Sequence, residues 1–194
     1  MSTLAVVSRE QSLTNLCIAF NGESNAAVRY AAFAKIADEE GYLRIGSLFR
    51  AISRSEQIHA ANHAGTLLKM GRTHRSTVEM PRVKSTIENL HTAIDGEFYE
   101  VNEMYPEFIL EAAAQVLTSA RRSFQHALAS ERGHLQLFLS ALEKIEHPDE
   151  QSATMLSRRA VFYVCPECGY TAEMIEHDGC PICRHSKDEF ELIS

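Results

Sequence analysis

No proline precedes Pro81 in this 194-residue chain, and no cysteine lies between Cys17 and Cys165. The first absence removes the strongest helix breaker from the opening eighty residues and leaves room for long helices. No apolar run approaches the roughly 20 residues that cross a bilayer, so no membrane span is expected. Met1 to Glu10 has neither a basic start nor a long apolar stretch. No secretory signal is therefore expected, and the cytoplasm is the expected location. An excess of basic residues is missing too: the net charge is -7 and the pI near 5.7. That balance argues against nucleic acid or an anionic membrane as partner, since phosphate recognition needs a basic patch. At 45% hydrophobic residues the chain can still bury a core, and its length suits one or two domains.

What the chain does have is arranged in two parts. Ser8 to Glu146 is rich in Ala, Leu, Glu and Arg. Helices are expected from Ser8 to Glu40, Tyr42 to Lys69, Ser85 to Ala114 and Thr118 to Ile145. Ser8 with Gln11 and Ser85 with Glu88 are candidate capping boxes, and Gly41 and Gly71 are natural stops. Residues 71–82 lose apolar periodicity and read as a crossing connection. Pro106 falls inside the third helix and should bend it or strain its ladder. Four helices with one long central connection describe a four-helix bundle of the ferritin-like kind over residues 1–147. Residues 148–159 are polar and read as a linker. Residues 160–194 are too few to build a core unaided, and a metal is the usual remedy.

An internal repeat supports the bundle. A shift of 75 positions places Tyr30 on Tyr105, Phe33 on Phe108, Phe49 on Phe124, Ser55 on Ser130, Glu56 on Glu131 and His59 on His134. Gly22-Glu23 meets Gly96-Glu97 at a shift of 74, so the third helix holds one extra residue between Glu97 and Tyr105. A π-bulge accommodates one extra residue in a long helix, often at a functional site.

Glu56-x-x-His59 and Glu131-x-x-His134 each place a carboxylate and an imidazole on one helix face. Glu23, and Glu97 with Glu100, add carboxylates from the other two helices. One Glu from each of two helices plus Glu-x-x-His from the other two is the ligand pattern of di-iron and di-manganese carboxylate bundles. Two divalent cations held close together need several anionic oxygens, at least one of them bridging, to offset their repulsion. The imidazoles complete a set suited to iron or manganese. Glu88-x-x-His91 has the same spacing but faces away from Glu97 and reads as a solvated pair. Glu100 has no counterpart in the first half, where Ala26 takes its place, so the site should be asymmetric. Tyr30 and Tyr105 are either core aromatics or hydrogen-bond partners of the ligand carboxylates. His63 maps onto Phe138 and is left out of the site; Cys17 reads as a core residue.

Cys165-Pro-Glu-Cys168 and Cys180-Pro-Ile-Cys183, eleven residues apart, form two metal knuckles. The spacing points to a tetrahedral four-thiolate site for iron or zinc, in a small β unit of the zinc-ribbon kind. Gly169 follows the first knuckle but Arg184 follows the second, and Arg184 is strained if that position requires positive φ.

Taken together, Gly22-Glu23-Ser24, Glu56-x-x-His59, Gly96-Glu97-x-x-Glu100, Met104-Tyr105-Pro106-Glu107-Phe108, Glu131-x-x-His134 and both knuckles resemble the rubrerythrins. The resemblance covers nearly the whole chain. It implies a di-iron centre on Glu23, Glu56, Glu97, Glu100, Glu131 and His134, with His59 alternating with Glu100 on one iron. It implies a rubredoxin-like domain in which Cys165, Cys168, Cys180 and Cys183 hold a single iron. The implied activity is reduction of hydrogen peroxide to water in oxidative-stress defence. Tyr30 and Tyr105 would join the carboxylates in handling protons, and an external donor protein would supply electrons. Similar proteins form homodimers in which the tail of one chain meets the bundle of the other, because the distance within a chain is long. Two other readings of the same residues are an iron-handling ferroxidase and a metal sensor with a structural zinc ribbon.

Overall fold

The structure is a computed structural model that describes residues 2–176 and 178–194, with side chains from Arg9 onward. Helix α1 spans Ser2–Glu39 and α2 Leu43–Lys69; α3, Thr86–Tyr99, runs through a π-helical turn, Glu100–Met104, into α4, Tyr105–Ala114; α5 spans Thr118–Glu146. These rods form the expected bundle. Its first helix begins ahead of Ser8, so the expected cap there is not a helix start: nothing between Ser2 and Gln11 breaks helix propagation. The box at Ser85 is formed, with the Ser85 hydroxyl accepting from the Glu88 N–H and the Glu88 carboxylate accepting in return.

The extra residue of the third rod is absorbed where the repeat required it. Tyr105 N–H donates to the Glu100 carbonyl, five residues back. Pro106 lacks an N–H and follows at the start of α4, so the widened turn accommodates it without breaking the rod.

Repeat-related aromatics make two matching nests. Phe33 and Phe49 lie with ring centroids 5.5 Å apart, and Phe108 and Phe124 5.4 Å apart. Full burial of each Phe stabilises by about 1.5–3 kcal/mol. The two nests close on the polar centre through one tyrosine each, Tyr30 and Tyr105.

The expected linker is partly structured. Asp149 caps a short helix α6, Glu150–Leu156, by accepting from the Ser152 N–H. Leu156, Ala160, Phe162 and Val164 are buried in the same apolar cluster as Phe49 and Phe138. Those four apolar side chains give the connecting segment a surface to bury, and it folds onto the bundle. A three-stranded antiparallel sheet follows in the order β2-β1-β3: β1 Phe162–Val164, β2 Thr171–Ala172 and β3 Glu191–Ile193.

Three helices end in the same motif. After α1, Tyr42 N–H reaches the Ala37 carbonyl; after α2, Arg72 reaches Leu67; after α4, Leu117 reaches Ala112. This 6→1 bond requires a left-handed residue just before it. Gly41 (φ 86) and Gly71 (φ 78) fill that place, but after α4 it is Val116 (φ 57), the repeat counterpart of Gly41. A β-branched residue is costly there, and Val116 is 81% exposed, so its side chain offsets little. Val116→Gly should stabilise the protein by about 0.5–1 kcal/mol after the glycine entropy is deducted. Thermal unfolding checks this: a gain of about 1–4 °C is expected.

Candidate metal centres

Burial brings one or two ligand-type residues from each rod to a common point. Glu23 (α1), Glu56 and His59 (α2), Glu97 (α3), and Glu131 and His134 (α5) are each at most 2% exposed. Two overlapping sets each have ligand atoms within 4.8 Å of one another: Glu23, Glu56, His59 and Glu131; and Glu56, Glu97, Glu131 and His134. The members common to both sets are Glu56 and Glu131. Glu56 turns Oε2 to His59 Nδ1 at 2.8 Å and Oε1 to His134 Nδ1 at 3.2 Å. Glu131 turns Oε1 to His59 Nδ1 and Oε2 to His134 Nδ1, both at 2.6 Å. These two carboxylates face both imidazoles and could serve two cations, with Glu23 and Glu97 each able to reach one of them.

The imidazoles are oriented from behind. His59 Nε2 lies 3.0 Å from the Cys168 carbonyl, an acceptor, so Nε2 carries a proton and Nδ1 is the nitrogen that faces the carboxylates, protonated there unless a cation takes its place. Ser55 and Ser130, matched by the repeat, stand behind Nε2 of His59 and His134 at 3.5 and 3.3 Å. Tyr30 O–H donates to Glu97 Oε1 at 2.6 Å, and Tyr105 O–H donates to Glu23 Oε1. Both tyrosines thus hydrogen-bond ligand carboxylates while filling the core. Burial and the neighbouring carboxylates raise their pKa well above the ordinary value, so they remain hydrogen-bond donors.

Four carboxylate oxygens, Glu23 Oε2, Glu56 Oε1, Glu97 Oε2 and Glu131 Oε1, are fully buried and accept no hydrogen bond. An orphaned buried carboxylate oxygen is expensive, and four aimed inward from four helices fit a pair of cations. Electrostatics agree. Burial, then neighbouring carboxylate charges, push Glu23, Glu97 and Glu100 well above the usual carboxylate range. Burial alone would lower His134, but Glu131 and Glu56 outweigh it and hold His134 at about 9. Burial would raise Glu131, yet His59 and His134 hold it below its ordinary value.

Glu100, on the π-turn, is in neither set. It is partly exposed and lines a cavity of about 560 Å³ together with Tyr30, Asn21, Asn25 and Arg29. His59, its expected alternate, is the one of the two that stands among the ligand atoms. Glu88 and His91 lie outside the centre: Glu88 serves the Ser85 cap, and His91 meets Glu146 at 3.6 Å on the surface. Cys17, read as a core residue, is only partly buried, packed against the cluster that holds Phe108 and Phe124. The sequence reading missed His63. It is fully buried, with Nδ1 2.8 Å from Ser123 Oγ and Nε2 3.0 Å from the Tyr105 hydroxyl. Burial, then the charge of His59, lower it to about 3, so it is neutral. Its position one turn beyond His59 was the available signal; comparison with Phe138 concealed it.

The four cysteines converge, with Sγ–Sγ distances of 3.6 Å (Cys165–Cys183) and 3.4 Å (Cys168–Cys180). Disulfides need about 2.05 Å. A tetrahedron with metal–sulfur bonds of about 2.3 Å has edges near these separations. Hydrogen bonds with Cys165 pull the Cys180 thiol well below its ordinary value and push Cys168 well above it. Gly169 (φ 78) and Arg184 (φ 67) hold the equivalent left-handed positions after the two knuckles, so Arg184 carries the expected strain.

The resemblance implied a long distance between tail and bundle within one chain; here it is short. Asn62, His59 and Ser55 of α2 hydrogen-bond three consecutive carbonyls, Glu167, Cys168 and Gly169. Arg54 forms a fork with Glu191 at 2.6 and 2.8 Å. The folded connection through α6 returns β1 to α2, which places the first knuckle on His59.

Comparison with known proteins agrees with this geometry. The rubrerythrin family model matches residues 14–142. Rubrerythrin-2 of Clostridium acetobutylicum is 37% identical, over 90% of this chain and 92% of its own. Nigerythrin of Nitratidesulfovibrio vulgaris is 35% identical, over 92% of this chain and 85% of its own. A solved structure of fully reduced, all-ferrous nigerythrin superposes with a TM-score of 0.82 at 33% identity, covering 93% of this chain and 86% of that one. The paired carboxylate–histidine sets fit a di-iron centre and the four thiolates a rubredoxin-like iron. By fold, family and ligand set, the chain belongs to the rubrerythrin family, a ferritin-like di-iron oxidoreductase of oxidative-stress defence with its own rubredoxin-like unit.

Proposed function

We propose that the protein reduces hydrogen peroxide to water, taking electrons from an external donor protein through the four-cysteine unit. The observation that carries this reading is His59. Its Nδ1 faces the carboxylate centre, while its Nε2 holds the carbonyl of Cys168, a ligand-type residue of the second centre, at 3.0 Å. A ferroxidase or storage bundle has no need of such an inlet.

Glu23, Glu56, His59, Glu97, Glu131 and His134 would hold two irons, with Glu100 available at the cavity wall, and Cys165, Cys168, Cys180 and Cys183 would hold one. When bound, the paired irons supply the two electrons that cleave one O–O bond, and the thiolate-bound iron restores them singly. The cavity beside Glu100 gives a small oxidant a way in. Tyr30 and Tyr105 fix Glu97 and Glu23 and keep hydroxyl protons beside the centre. The apolar nests exclude bulk water from the rest of it. The homodimer and the cytoplasmic location belong to the same proposal, but each chain already carries its own inlet.

Anaerobic stopped flow tests the reading. Reduced protein mixed with peroxide should show rapid oxidation of the bundle centre, then the colour of a ferric four-thiolate site as that unit gives up its electron. Slow reaction with peroxide beside brisk turnover of dioxygen and free ferrous iron would overturn it in favour of iron handling. A tail that stays colourless when the bundle oxidises would mark it as a zinc ribbon and remove the electron inlet.

A further inference from the structure

His63 has no role in the function proposed above, yet it is a fully buried imidazole with both ring nitrogens engaged. We propose that Ser123 and His63 form a proton-delivery line from the cleft between α2 and α5 to Tyr105 and the Glu23 side of the metal centre. The inference rests on the peroxidase reading, because that reaction consumes two protons and two electrons for each peroxide converted to two waters.

The direction of the line follows from donor arithmetic. Tyr105 has one hydroxyl proton and donates it to Glu23 Oε1, an acceptor. The Tyr105 oxygen must then accept from His63 at 3.0 Å, which places the imidazole proton on Nε2. Nδ1 is left as acceptor and takes the Ser123 hydroxyl proton at 2.8 Å. Every donor therefore points at the centre. Ser123 lines a cleft of about 470 Å³ with Lys69, Ser119, Arg122, His126 and Glu167, where water can donate to its oxygen. In one passage, water gives a proton to Ser123, Ser123 to His63 Nδ1, His63 Nε2 to Tyr105, and Tyr105 to the Glu23 carboxylate. One proton leaves the cleft and one reaches Glu23, no electron travels along the line, and His63 ends as neutral as it began. Rotation resets the hydroxyls; His63, left protonated on Nδ1, returns to the Nε2–H tautomer by proton exchange with water of the cleft, one proton lost at Nδ1 for one gained at Nε2, because turning the ring cannot interchange its two nitrogens.

The other half of the repeat is a natural control. Tyr30 donates to Glu97 as Tyr105 does to Glu23, but the place of His63 is taken by Phe138, whose ring centroid lies 5.3 Å from that of Tyr30. The pseudo-symmetric centre thus has an imidazole line on one side only.

His63 acts through Tyr105 and is a positioning residue, so the test must separate transfer from support. His63→Gln can keep a hydrogen bond to each neighbour but cannot pass a proton across a ring; His63→Phe copies the other half. Iron content and the visible spectrum of both variants establish that the centre still loads. ¹⁵N NMR of the metal-free wild type should show His63 neutral and protonated on Nε2. The single-turnover rate with peroxide in H₂O and D₂O should fall about 100-fold in His63→Gln, with a larger solvent isotope effect. Ser123→Ala should share the change in isotope effect. A His63→Gln variant with wild-type rate and isotope effect, or an Nδ1-protonated His63, would overturn the line. Failure of the wild type to react with peroxide would instead sink the peroxidase reading. The variants would then be read against dioxygen, whose reduction also takes up protons, and the tautomer result stands in either case.

Discussion

Gly169→Ala should leave oxidation of the bundle centre by peroxide close to wild type while slowing its re-reduction through the tail by about 100-fold, the penalty of misplacing an aligned group by an ångström or so. Gly169 has φ 78, and a Cβ there would press into both His59 Nε2 and Ser55 Oγ. Backbone, not a flexible side-chain tip, would have to yield. The carbonyls of Cys168 and Gly169, which hold the knuckle on α2, would be displaced with it. Gly71→Ala is the control, because it shares the left-handed φ but meets nothing within 4 Å. Each variant should cost about 1–2 kcal/mol in backbone strain, but only Gly169→Ala should lose the fast internal step. Double-mixing stopped flow at the two iron absorptions measures it. Equal re-reduction rates in the two variants would mean that the contact at His59 does not govern the inlet.

Stripping the metals should lower the unfolding temperature by about 10–15 °C. Free metal at about 1,000 times Kd stabilises a site by about 4 kcal/mol, and a chain of this size gains about 2–4 °C per kcal/mol. The physical source is the buried carboxylate cluster: without a cation, Glu23 Oε2 and Glu97 Oε2 accept no hydrogen bond, and Glu56 Oε1 and Glu131 Oε1 have only an imidazole Nδ1 beside them. The stripped protein should also lose stability between pH 7 and 9. His134 is raised from 6.5 to about 9, so its contribution is complete below pH 6.5 and is lost as pH rises through about 9. Glu23, Glu97 and Glu100 are raised as well, and their bound protons are lost in the same direction above pH 4.5. His63 titrates below 6.5 and Glu131 below 4.5, so neither alters this window. His134 alone is worth on the order of 2 kcal/mol across it, at about 1.4 kcal/mol per pKa unit. Metal displaces those protons at every pH in the range, so the gap between loaded and stripped protein should widen toward pH 9. Calorimetry on both forms checks it. A shift of under about 3 °C on stripping, or a gap that narrows with pH, would contradict a metal centre built on these six residues.

The ligand types and their helices were legible in the sequence because the signals are local. Glu56-x-x-His59 and Glu131-x-x-His134 are one helical turn each, and a knuckle is four residues. Even the π-turn at Glu100–Met104 was implied by the change of repeat shift from 74 to 75. Val116 in a glycine position could also have been read from its alignment with Gly41. The start of α1 could not, because a capping signal at Ser8 does not oblige a helix to begin there.

Other features depend on contacts between residues far apart in the chain. The residues docking the tail on α2, Ser55, His59 and Asn62, have partners more than 100 positions away, and no spacing rule reaches that far. The long distance from tail to bundle came from the resemblance alone; residues 148–159 read only as a polar linker, whereas Leu156, with Ala160 and Phe162 just beyond it, buries in the bundle core. His63 was set aside because the repeat compares positions and not neighbours; its meaning lies in Ser123 and Tyr105, brought to it from α5 and α4. By itself the sequence determined which atoms can bind metal and on which helical faces they stand, because periodicity fixes faces. Only the tertiary structure decided which carboxylates face both imidazoles, which imidazole reaches from the carboxylate cluster to the cysteine unit and which groups surround His63, because those are properties of packing between elements and not of any one of them.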